Sequence, residues 1–123
     1  MSNIILNQGG DIMESYQEKR QYKRYGYQTS MYLYQNDNQE QYYYAEMKDY
    51  GQGGQCLLSD KEMEVGQKVY LEMKNYDQYA AGPEKYKSYE GYIKWGMPYS
   101  SNYSDSDGKT YRYGIEYYQP AYY

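Results

Sequence analysis

The stretch EKRQYKRYGYQ, residues 18–28, places Lys19, Arg20, Lys23 and Arg24 within six consecutive residues. The chain holds three arginines, and two of them stand here, four positions apart. An arginine fork matches phosphate oxygens or a guanine edge with two parallel hydrogen bonds, and its plane stacks on a base; a lysine ammonium does neither. One bidentate arginine–guanine contact discriminates by about 1–3 kcal/mol. The stretch KDYGQGGQC, residues 48–56, has the complementary chemistry. Asp49 can accept hydrogen bonds from a base edge. Gly53 and Gly54 are expected to supply positive φ and close backbone approach. The two stretches describe opposite walls of a site for a compact ligand carrying both guanine and phosphate.

Composition restricts the alternatives. A chain of 123 residues suits one small domain. Its net charge of -4 and pI near 4.8 give it no general attraction for a nucleic acid polymer or an anionic membrane, so an anion site must be local. Histidine is absent, which removes imidazole bases, histidine-activated nucleophiles and most zinc sites. Cys56 is the single cysteine, expected as a small buried apolar residue rather than part of a disulfide or metal cluster. No acid/base pair or nucleophile can be assembled from the spacing, so a non-enzymatic, cofactor-free protein without a metal is expected. SDSDG at 104–108 lacks the remainder of a calcium-loop pattern and is read as a loop. No apolar run approaches the roughly 18 residues of a membrane span. A soluble, cytoplasmic protein without membrane insertion is the expectation.

The elements that must carry this chemistry are mostly strands. YGYQTSMYLY alternates Tyr27, Thr29, Met31 and Leu33 on one face, and NDNQ ends it as a turn. Strands are also predicted in EQYYYAEMKDY, QCLLS, VGQKVYLEMK, YEGYIKWG and YRYGIEYY, with Val69, Leu71, Met73, Ile93 and Trp95 directed to the core. DIMESYQEKRQYK, residues 11–23, reads as a helix with Asp11 as N-cap. Several short strands in one small domain suggest closure into an antiparallel barrel, because closure removes exposed edges. The chain has 24 tyrosines and no phenylalanine, so tyrosine must supply much of the core, and each buried phenol needs a hydrogen-bond partner.

Arg20-x-x-x-Arg24, followed by Asp49-x-Gly51-x-Gly53-Gly54, resembles the two motifs of the PilZ domain, a bacterial receptor module for cyclic di-GMP. VGQKVYLEM, GYIKWG and YGIEY resemble that family's later strands, so the likeness runs over about residues 18–118. It implies a mainly β fold, a small six-stranded antiparallel β-barrel, at 18–118. An N-terminal helical or flexible arm would occupy 1–17, and a C-terminal tail 119–123. It also implies that Arg20 and Arg24 grip guanine and phosphate, that Asp49 meets a guanine edge, and that Gly54 lets the backbone approach. Lys19 stands where a basic residue accompanies a stacked pair of ligands. Gly51 replaces the small hydroxyl residue of the family, and a serine restored there would add one hydrogen bond and tighten binding by about 0.5–1.5 kcal/mol. Gly26 stands where the family often has proline. The function implied is a cyclic di-GMP receptor of bacterial signalling, with a downstream protein partner. The alternative is a degenerate barrel that binds no nucleotide and acts as a protein-interaction module.

Overall fold

The computed structural model describes residues 22–35, 40–99 and 109–123. Six strands form: β1 Tyr25–Tyr34, β2 Tyr42–Tyr50, β3 Gly54–Ser59, β4 Lys68–Met73, β5 Ser88–Tyr99 and β6 Thr110–Tyr117. They make a closed antiparallel barrel in the order β1-β2-β3-β6-β5-β4, with β4 pairing back onto β1. The fold is therefore the mainly β barrel expected. Pro83–Lys85 form a short 3-10 turn in the β4–β5 connection. Most of the helix expected over 11–23, the turn at 36–39 and the loop at 104–108 lie outside the described residues, while Tyr22 and Lys23 are non-helical. No helix among the described residues is long and apolar enough to cross a membrane.

Alternation explains the core. Met31, Leu33, Ala45, Met47, Leu57, Val69, Leu71, Met73, Ile93 and Ile115 point inward and pack together, because successive strand side chains leave opposite faces. The sheet departs from strict alternation at three bulges, between Gly26 and Thr29, between Met47 and Asp49, and between Ile93 and Trp95. The first of these takes Tyr27 off the inward face it was expected to share with Thr29. It stands 40% exposed, and its hydroxyl donates to the Glu84 carboxylate at 2.9 and 3.0 Å.

The buried tyrosines do two jobs. Tyr113 fills the barrel, and its hydroxyl accepts from the Met63 amide and donates to the Lys61 carbonyl, each at 2.8 Å, which pins the β3–β4 connection. Tyr89 and Tyr117 stack at 4.9 Å between centroids; Tyr89 donates to the Pro83 carbonyl and Tyr117 accepts from Gln55 Nε2 at 2.8 Å. Aliphatic side chains could fill the same volume but could not tie down these loop backbones. Past β6, Ala121 is buried and its amide donates to the Gln52 carbonyl at 2.8 Å, so the C-terminal segment packs against the loop that precedes β3.

Candidate functional site

The bulges build the site. Without them Asp49 would share the inward face of Met47, and Trp95 that of Ile93. Each extra residue turns the following side chain outward. Trp95, expected in the core, is accordingly 37% exposed, whereas Ile93 is fully buried as expected. In register, Asp49 on β2 faces Cys56 on β3, Cys56 faces Gly114 on β6, and Gly114 faces Trp95 on β5. This is one continuous row across the outer wall. Its two ends, Asp49 and Trp95, carry the larger side chains and its middle, Cys56 and Gly114, is small. Space for the indole depends on Gly114, since a Cβ there would lie 2.2 Å from Trp95 Nε1.

A cavity of about 400 Å³ stands over this row, lined by Tyr22, Arg24, Asp49, Lys94, Trp95 and Arg112, with Gly53, Cys56, Gly114, Ile115 and Glu116 completing its wall. That volume falls within the range of small-molecule sites. Arg24 donates from Nε and Nη2 to one oxygen of Asp49, at 3.1 and 2.8 Å, in a partly exposed pair. Such a pair contributes about 0.2–1 kcal/mol, so a ligand anion can exchange for it at little cost. Lys94 lies 3.3 Å from Glu116, which also accepts from the Tyr92 hydroxyl at 2.8 Å. The Tyr92 hydrogen bond, with the Lys94 charge behind it, holds the Glu116 carboxyl below its usual range. Three cations against two carboxylates leave the cavity one positive charge in excess.

The chain just before β1 lies across the glycine loop. The Tyr22 ring covers Gly53, where a Cβ would come within 2.8 Å of it. The Lys23 carbonyl sits on Gly51, where a Cβ would lie 2.4 Å from its oxygen. Gly53 and Gly54 serve close approach alone: among the described residues the positive-φ glycine is Gly66, at +91°, so the expectation of positive φ at 53 and 54 is corrected. The expected benefit of a serine at 51 is corrected too, because a side chain there meets backbone. Gly51→Ser should instead lift Lys23 and Arg24 off the loop. Trypsin cleavage after Arg24, followed by mass spectrometry, is expected to quicken severalfold; an unchanged rate would mean that Gly51 does not seat the segment.

Of the residues singled out in the sequence, Arg24, Asp49 and Gly53 line one cavity; Gly51 and Gly54 are not in its lining, Gly51 packing against Lys23 and Arg24 and Gly54 against the Ile115 carbonyl. Lys19 and Arg20 lie outside the described residues. Sequence reasoning missed Arg112 and Lys94. Arg112 and Gly114 are two apart on one strand and so share a face, but that this face adjoins Asp49 depends on β3 lying between β2 and β6.

A family model described as PilZ domain matches residues 18–120. Among solved structures, the chain is similar to the PilZ domain with c-di-GMP of YcgR from Escherichia coli, with 13% identity and a TM-score of 0.59 over 81% of this chain and 78% of that one. It is also similar to MrkH, described as a c-di-GMP-dependent transcription regulatory factor, with 12% identity and a TM-score of 0.53 over 81% of this chain and 43% of that one. At these identities the likeness is one of fold. No match is found among curated proteins.

Proposed function

This chain belongs to the PilZ domain family, and from that premise we propose that it is a receptor module for cyclic di-GMP. The observation that carries the reading is the convergence of Arg24 and Asp49, 25 positions apart, on one cavity with surplus positive charge. The similar structure from YcgR is described as holding c-di-GMP, which supports the same ligand class here.

In this reading the ligand phosphate takes over the Arg24 fork, releasing Asp49 to accept from the guanine edge. The exchange replaces one charge-assisted pair by two. Arg20 and Lys19 add further cationic contacts from the preceding segment, and Gly53 and Gly54 leave the wall free of side chains where the ligand lies. Movement of residues 22–24 as Arg24 changes partner alters the surface offered to a downstream protein. We assign no catalytic role to the cavity.

Arg24→Ala is expected to weaken cyclic di-GMP binding at least about tenfold, the loss of one charge-assisted contact. Calorimetry with GTP and cyclic di-AMP as controls measures this. Equal affinity of variant and parent would remove Arg24 from the site. The seating of the Lys23 carbonyl on Gly51 favours a second reading, a barrel whose glycine loop is closed to nucleotide and whose surface binds a protein. A well-folded protein with no thermal shift in cyclic di-GMP would put that reading first.

A further inference from the structure

Arg112 differs from the other two cations of the cavity. Arg24 is engaged by Asp49 and Lys94 by Glu116. Arg112 donates from Nε to Cys56 Sγ at 3.1 Å, and among the described residues its side chain has no carboxylate partner. The sulfur is nearly inaccessible, with Cys56 only 1% exposed beneath the cavity floor. A guanidinium has two donor edges in a fixed plane. Holding Nε against a buried sulfur fixes that plane and leaves the outer nitrogens of a half-buried cation without an acid. Arg112 is therefore the cation of this cavity without a carboxylate at ion-pair distance among the described residues, Asp49 acting on it only through space.

We propose that Arg112 is the anion-receiving residue of this cavity, taking phosphate or phosphodiester oxygens on its outer edge, and that Cys56 is its positioning residue. A preoriented fork loses less rotamer freedom on binding than a free one, so the sulfur contact raises affinity without touching the ligand. Trp95 and Met97 flank it across β5: Met97 pairs with Arg112 and Trp95 with Gly114 two residues on, and Trp95 lines the same cavity. This assignment rests on the reading of the cavity as a nucleotide site for the identity of the ligand, though not for the anion chemistry.

With three arginines in the chain, the side-chain Nε–H signals can be assigned one by one by NMR. The parent protein is titrated separately with cyclic di-GMP and with inorganic pyrophosphate, and the affinities of Arg112→Gln, Cys56→Ala and Cys56→Ser are measured by calorimetry. Both titrants are expected to move the Arg112 signal. Arg112→Gln should lose about tenfold or more in affinity. Cys56→Ala should lose severalfold, and Cys56→Ser, which keeps an acceptor, should recover most of it. Binding of cyclic di-GMP with a stationary Arg112 signal and an unaltered Arg112→Gln affinity overturns this assignment and leaves the receptor reading intact. A response of Arg112 to pyrophosphate alone, abolished in Arg112→Gln, keeps the anion site and removes cyclic di-GMP as its ligand. Silence of the signal toward both titrants, with no heat of binding from either, overturns both. The signal of the parent decides the matter even where a variant fails to fold.

Discussion

Taken above about pH 10, the protein is expected to unfold over a narrow interval rather than to titrate gradually. Tyr89, Tyr113 and Tyr117 are buried, and desolvation, the largest cause in each case, raises the pKa of all three phenols above 10.0. For Tyr117 the neighbouring Tyr123 adds to this, and for Tyr89 a hydrogen bond with Tyr123 does. The direction of the effect follows from linkage. Below the unfolded value both states carry neutral phenols, and the stability is fully present. Above it the unfolded chain ionises and the folded one does not, so stability falls as pH rises toward the folded values. Each such group approaches a loss of about 1.4 kcal/mol per pH unit, and three together about 4. Against a total of about 5–15 kcal/mol for a domain, about one to four pH units suffice. Circular dichroism and phenolate absorbance followed together should change in one step. Smooth ionisation of all tyrosines with the barrel intact would mean that these rings are not sealed in the core.

Gly54→Ala is expected to destabilise the barrel by about 3 kcal/mol, the upper end for overpacking, and to lower the melting temperature by about 10 °C. A Cβ at 54 would stand 2.0 Å from the Ile115 carbonyl oxygen and 3.1 Å from its carbon. Those atoms belong to β6, where Gly54 pairs with Glu116, and backbone in a closed ladder cannot rotate aside as a side-chain tip can. Relief requires parting β3 from β6. Gly26→Ala is the control: nothing lies within 4 Å of its Cβ, and its backbone is not left-handed. There the loss of unfolded-state freedom should leave stability unchanged or raised by about 0.4–1 kcal/mol. Equal melting of the two variants would contradict the close β3–β6 approach.

Much of the fold was legible in the order of residues. Val69, Leu71 and Met73 repeat at period two and are buried together, and the glycine cluster at 51–54 ends β2 and begins β3 as read. Arg24 and Asp49 were legible as residues of one site, and the structure pairs them at 2.8 Å. Trp95 was not: an apolar side chain two positions after buried Ile93 reads as core, and only the bulge turns it out. Gly51 misled for the same kind of reason. Its lack of a hydroxyl reads as a lost hydrogen bond, whereas in space it is the seat of the Lys23 carbonyl.

Periodicity and turn residues by themselves determined a series of short strands, since a strand's two faces are written locally at every second position; their closure into a barrel was suggested by the need to cover edges and by the PilZ resemblance. Which outward side chains meet was decided by tertiary structure. Asp49, Cys56, Gly114 and Trp95 lie on four strands and form one row only through the register of three ladders and the position of two bulges. Register and bulges arise from closing the barrel around its core, a condition on all six strands at once, and no short stretch of sequence carries it.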